Sequence, residues 1–113
     1  MHEMSLAESM LQIIEDAARA QKFRRVRNVV LEIGALAAVE SGAMRFCFDA
    51  VTRGSIAEGA LLEIVETPGE GCCTVCGKAF PLQEQYGLCP ECGSPQIEVV
   101  AGNRMRVKDL EVE

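Results

Sequence analysis

Residues 69–95 read GEGCCTVCGKAFPLQEQYGLCPECGSP, and one turn occurs in them twice: Cys73-Thr-Val-Cys76-Gly77 and Cys89-Pro-Glu-Cys92-Gly93, with twelve residues between Cys76 and Cys89. Two residues between cysteines let both thiolates of a pair reach one ion from a tight turn. The glycine after each second cysteine can take positive φ, which turns backbone N–H groups toward the sulfurs. Two such turns supply four soft ligands in a closed tetrahedron, the arrangement of a structural zinc site. Cys73, Cys76, Cys89 and Cys92 are therefore the expected ligands of one zinc ion per chain. With all four positions filled, no water is left to activate, so such a metal would not catalyse.

The segment also needs a metal. Residues 69–96 hold five of the six cysteines and three of the four prolines, with glycines at 69, 71, 77, 87 and 93. No helical or strand period persists through it, and its apolar content is too low to fold unaided, so the ion is expected to hold it together. Iron is the competing occupant. Tetrathiolate iron sites of the rubredoxin type have a longer gap and an aromatic-rich shell, whereas Phe80 and Tyr86 are the only aromatic residues inside this gap. Colour separates the two metals, since a ferric tetrathiolate absorbs visible light. Cys72 would make the first spacing C-x₃-C and reads as a spare thiol. Cys47, between Phe46 and Phe48, reads as a small buried hydrophobe.

Outward from this module, the flanks carry regular periodicity. Met4, Ala7, Met10, Leu11, Ile14, Ala17 and Ala18 recur at helical spacing over residues 4–22, with charged residues mainly opposite. RVRNVVLEIG (residues 25–34) reads as a strand with Val29, Leu31 and Ile33 on one face. A second helix begins near Glu40 or Ser41, the latter able to cap free amides, and stops at Gly54. ALLEIVE forms a second strand before Pro68 and Gly69, and IEVV and NRMRVKDLEVE follow the cysteine module as strands, with a phase slip at Asp109. The expected fold is α+β: a domain of residues 1–68, completed by a returning strand at 101–113, and interrupted by a zinc-binding knuckle or ribbon domain at 69–100.

Composition narrows the function. The chain has 113 residues, 49% hydrophobic, and a net charge of −6. Residues 69–100 contain one lysine against Glu70, Glu84, Glu91 and Glu98, and a Zn–Cys₄ core would add two negative charges. A zinc ribbon that binds nucleic acid is thus opposed by electrostatics. The basic run Lys22, Arg24, Arg25 and Arg27 reads as a solvated helix-to-strand junction. The start MHEMSLAESMLQIIEDAARA has no basic region followed by an apolar run, and no stretch is long and apolar enough to span a bilayer. A cytoplasmic location, with thiols kept reduced, is expected. No nucleophile–base pair can be assembled, so an enzyme is not expected.

The one histidine, His2, lies directly after Met1 and before Glu3. A lone terminal histidine is usually just solvated, but its chemistry here is suggestive. Methionine ahead of so large a residue is normally retained, so the terminal amine, the first amide nitrogens and the imidazole can form fused chelate rings. Nitrogen-rich tetragonal coordination of that kind suits Ni(II) or Cu(II).

At this point the chain resembles a known family. The opening MHEMSLAESMLQIIE, the middle FCFDAVTRGSIAEGALLEI, the two C-x-x-C pairs and the ending VKDLEVE are together similar to the hydrogenase nickel-incorporation proteins HypA and HybF. The resemblance covers essentially the whole chain. It implies a cytoplasmic metallochaperone, not an enzyme, that delivers Ni(II) for maturation of [NiFe]-hydrogenase and in some organisms of urease. It implies two helices and a three-stranded sheet plus a zinc domain, as a monomer or homodimer. The partners it implies are the GTPase HypB, the hydrogenase large-subunit precursor and urease accessory proteins. Carried over by residue, it makes His2 the principal nickel ligand, supported by Glu3 and the Met1 amine. An acidic residue at the start of the second helix, matched by Glu40, joins them. Cys73, Cys76, Cys89 and Cys92 match the zinc ligands, and Cys72 is an extra.

Overall fold

The structure, a computed structural model, describes residues 3–84 and 87–113. In chain order it has α1 (Glu3–Gln21), β1 (Val26–Gly34), α2 (Ser41–Thr52), β2 (Leu61–Thr67), β3 (Gly69–Cys73), β4 (Ala79–Leu82), β5 (Ile97–Ala101) and β6 (Met105–Val112). The strands form two three-stranded sheets, ordered β2-β1-β6 and β4-β3-β5. The second sheet is therefore inserted between β2 and β6, the strands that flank β1 in the first. The chain divides into two compact units, Met1–Leu31 with Val39–Ile64 and Val107–Glu113, and Glu32–Ala38 with Val65–Arg106.

The first unit is built by two amphipathic helices. Ala7, Met10 and Ile14 are buried along α1, and Met44, Phe48 and Thr52 along α2, both at the three- and four-residue spacing of a helix face. Thr52 is the one buried polar side chain among the described residues, and its hydroxyl donates to the Phe48 carbonyl at 2.8 Å. β1 is the central strand, and this is why it buries Val29, Leu31 and Ile33, together with Val26, whose N–H donates to the Ile56 carbonyl. The edge strands carry no fully buried residue in their outer portions, and in β6 the alternation does slip at Asp109, leaving Leu110 half-buried and Val112 exposed. The basic junction is solvated as expected. Arg24 and Arg25 donate backbone N–H groups to the Glu113 carbonyl, and Arg27 pairs with the Glu113 carboxylate at 3.0 Å.

The second unit corrects one expectation. Residues 69–82 were expected to lack strands, yet β3 and β4 lie there, paired antiparallel, with β5 on the other side of β3. The buried face of β3 is Gly69, Gly71 and Cys73, which hydropathy does not mark as a strand. A small apolar cluster covers it: Leu36, Cys73, Phe80, Leu82 and Cys89, with Ile97 and Val99 packed alongside. Two of its five members are cysteines of the repeated turns. Cys47, expected as a small buried hydrophobe, is only half-buried, and its neighbour Phe46 is 71% exposed while Phe48 is buried.

Candidate metal centres

Each C-x-x-C-G turn folds the same way. Gly77 (φ 78°) donates to the Cys73 carbonyl, and Gly93 (φ 74°) to the Cys89 carbonyl, both at 2.9 Å. The chain then re-enters through Cys73 N–H to the Lys78 carbonyl and Cys89 N–H to the Ser94 carbonyl. That reversal aims two amides at the first sulfur of each pair. Val75 and Cys76 N–H lie 3.4 Å from Cys73 Sγ, and Glu91 and Cys92 N–H lie 3.4 and 3.5 Å from Cys89 Sγ.

The two turns face one another. Cys73 Sγ is 3.6 Å from Cys92 Sγ, Cys76 Sγ is 3.6 Å from Cys89 Sγ, and all four sulfurs lie within 4.8 Å of each other. A tetrahedron with Zn–S bonds of about 2.3 Å has edges of about 3.8 Å. The observed separations bracket that edge, so the donor set fits a zinc-sized, thiophilic ion. Among the described residues this is the only group of three or more metal-capable side chains so gathered. Cys72 is not part of it: its sulfur lies against the carbonyls of Cys73 and Gly77, at 3.8 and 3.7 Å.

The turn geometry splits the thiols into two kinds. Cys73 is held down at about 6, first by the Cys76 N–H, against burial and with help from Val75 N–H and the neighbouring sulfurs. Cys89 is lowered in the same way, first by the Cys92 N–H and then, against burial, by Glu91 N–H. Cys76 is pulled down by the Lys78 N–H, but the Cys89 sulfur, burial and the remaining thiols outweigh this and push it up to about 12. Cys92 is raised as well, the Ser94 N–H being outweighed by the Cys73 sulfur and burial. The turns thus favour the thiolate at Cys73 and Cys89, each fed by two amides, and the protonated thiol at Cys76 and Cys92.

Two of the other predicted ligands, Glu3 and Glu40, fall at the start of the helices. Met1 and His2 lie outside the described residues. Glu3 opens α1, and Glu40 is the N-cap of α2, with extended backbone (φ −85°, ψ 122°). The Glu40 carboxylate accepts from the N–H of Gly42 at 3.1 Å and from that of Ala43, while its own N–H donates to Glu3 Oε2 at 3.2 Å. The structure thus brings Glu3 and Glu40 together. It also resolves the helix start in favour of Glu40: Ser41 is the first helical residue and not the cap. Serine reads as the cap because short polar side chains usually serve there. Glutamate does so here by folding its longer side chain back over the first turn.

The family model described as hydrogenase/urease nickel incorporation, metallochaperone, matches residues 1–112. The chain belongs to the HypA family. Similar relatives include the hydrogenase maturation factors HypA of Dechloromonas aromatica, 56% identical, and of Albidiferax ferrireducens, 58% identical, each aligned over all of both chains. Among solved structures, the solution structure of the Ni metallochaperone HypA from Helicobacter pylori superposes with a TM-score of 0.78 at 29% identity, covering 99% of this chain and 97% of that one. A second HypA solution structure gives 0.76 at 30% identity. HypA proteins are metallochaperones of nickel incorporation in hydrogenase maturation and not enzymes, and the α+β fold of this chain is shared with their solved structures. No helix among the described residues is long and apolar enough to cross a membrane.

Proposed function

We propose that this chain takes up Ni(II) at its amino terminus and hands it to the hydrogenase large-subunit precursor, working with the GTPase HypB in the cytoplasm. Where a urease is present, urease accessory proteins are a second set of recipients. The Met1 amine, the His2 imidazole and the first amide nitrogens form the chelate, with the Glu3 carboxylate beside it. The observation that carries this reading is the hydrogen bond from Glu40 N–H to the Glu3 carboxylate. His2 directly precedes Glu3 in the chain, and this bond ties Glu3 to the start of α2, where Glu40 lies. The Glu40 carboxylate accepts one amide on each oxygen, from Gly42 and Ala43, so the cap fixes where any remaining lone pair can meet the ion. Such a ligand set, on a chain terminus, suits cargo that must be held and then given up.

Cys73, Cys76, Cys89 and Cys92 would hold one resident Zn²⁺ per chain. Its chemistry is architectural: four thiolates fill its coordination, and its binding free energy supports a unit whose apolar cluster is small. Residues 1–68 with 101–113 serve the nickel and 69–100 the zinc, in a monomer or homodimer.

The test is nickel titration of untagged protein. Wild type takes up one tightly bound Ni(II), and His2→Ala or N-terminal acetylation loses it while zinc content stays at one equivalent. Equal nickel uptake by His2→Ala would refute the assignment.

A further inference from the structure

The second unit carries a cleft of about 420 Å³ where β5 ends and β6 begins, lined by Glu32, Thr67, Arg104, Arg106 and residues 99–103. Its electrostatics run against the rest of the chain. The protein as a whole has a net charge of −6. In the cleft, two guanidinium groups face one carboxylate, which leaves one formal positive charge. Glu32 Oε1 is 3.2 Å from Arg106 Nε, so this pair leaves the outer nitrogens of Arg106 unused. Arg104 has no ion-pair partner among the described residues.

The frame around these groups is rigid. Gly34 N–H donates to the Arg104 carbonyl at 2.8 Å, and Leu36 N–H to the Gly102 carbonyl at 2.7 Å. Gly102 (φ 80°) packs so closely that a methyl group there would stand 2.4 Å from the Pro68 carbonyl oxygen. The strand feeding the cleft is also bulged. Gly71 matches Val99 and Glu70 matches Ala101, so Val100 is left over, 53% exposed. Bulges end pairing and re-aim a strand at its edge, where binding sites are often built.

We propose that this cleft recognises a carboxylate on a partner polypeptide, an acidic side chain or a free C-terminus. Arg104 offers the planar fork that matches a carboxylate, and Arg106 is the second donor, already oriented by Glu32. The single residual positive charge suits a monoanion. A phosphate, carrying nearly two charges, would be repelled by Glu32 in the same cleft. Val100, 53% exposed at the bulge, supplies an apolar contact for the chain that bears the group.

The test uses the full-length, zinc-loaded, nickel-free protein, so its outcome is separate from the nickel assignment. Three acetylated peptides are titrated against amide resonances of residues 97–106: Ala-Val-Leu-Ala with a free C-terminus, Ala-Val-Glu-Ala amidated, and Ala-Val-Leu-Ala amidated. The first or the second shifts these resonances, identifying the source of the carboxylate, and the third does not. Arg104→Ser weakens that binding by at least about tenfold, and Arg104→Lys by less, since lysine keeps the charge but not the fork. Arg104 is exposed, so both variants keep their zinc and their spectral dispersion. The proposal is overturned by equal shifts from the neutral peptide, by unchanged affinity in Arg104→Ser, by inorganic phosphate binding more tightly than either acid, or by no shift with any peptide.

Discussion

Glu40 donates its backbone N–H to the Glu3 carboxylate at 3.2 Å, while its own carboxylate folds over the amides of Gly42 and Ala43. Two carboxylates are thereby collected at the amino end of α2, where the free N–H groups and the helix dipole stabilise negative charge. This joins the beginnings of both helices one residue from His2. It also gives Glu40 a structural duty alongside any role as nickel ligand.

Separating the two duties of Glu40 needs two substitutions. Glu40→Ala removes the cap and lowers stability by about 1 kcal/mol. Glu40→Ser restores a capping oxygen and recovers most of that loss, yet offers nickel no carboxylate. Its nickel affinity falls by less than that of His2→Ala. Chemical denaturation and nickel titration of both variants check this, and an alanine variant as stable as wild type would contradict the capping role.

Gly102 and Gly54 both have positive φ, 80° and 75°, but only Gly102 is crowded. A Cβ there would lie 2.4 Å from the Pro68 oxygen and 2.5 Å from Gly69 Cα, whereas Gly54 has nothing within 4 Å. Gly54→Ala should cost only the left-handed backbone penalty, about 1–2 kcal/mol. Gly102→Ala adds a backbone clash and should lose more than about 3 kcal/mol. Urea midpoints compare them, and equal losses would contradict the packing described.

The cysteines should divide sharply on metal analysis. Cys73→Ser or Cys89→Ser removes a buried sulfur and drops bound zinc well below one equivalent. Cys72→Ser, whose sulfur only touches the carbonyls of Cys73 and Gly77, keeps the full equivalent. Zinc loss from Cys72→Ser equal to that from Cys73→Ser would sink the ligand assignment.

Zinc loading should release fewer protons than four ordinary thiols would. At pH 7.5 Cys73, held at about 6, is already a thiolate, and Cys89 is shifted in the same direction by its amides. Cys76, pushed up to about 12, and Cys92 both carry protons. Binding should then displace about two to three protons, rising as the pH falls toward 6 because Cys73 takes one up. Calorimetry in buffers of different ionisation enthalpy counts them. A release of four at pH 7.5 would show that the amides do not prepare the sulfurs.

Much of this was legible in the residues themselves. Periodicity located the first helix because Ala7, Met10 and Ile14 are apolar at helical spacing, and the start near Glu40 with the stop at Gly54 bounded the second. The repeated C-x-x-C-G turn gave the sulfur cage, since its geometry is local and each turn is closed by its own glycine. What spacing could not give was β3: its inward positions are Gly69, Gly71 and Cys73, so the pleat has no apolar alternation to detect. Nor could it place Glu3 against Glu40, a contact between residues 37 apart in the chain that exists only once α1 and α2 pack. The Arg104–Arg106 cleft was hidden for the same reason, as Glu32 and Thr67 reach it from distant strands.

Different donors serve the two ions, sulfur for the resident metal and nitrogen and oxygen for the cargo. X-ray absorption at the nickel and zinc edges of untagged protein loaded with one equivalent of each tests this most directly. The predicted result is zinc surrounded by four sulfurs and nickel surrounded by nitrogen and oxygen alone. Sulfur scattering from the nickel, or a zinc shell lacking four sulfurs, would contradict it.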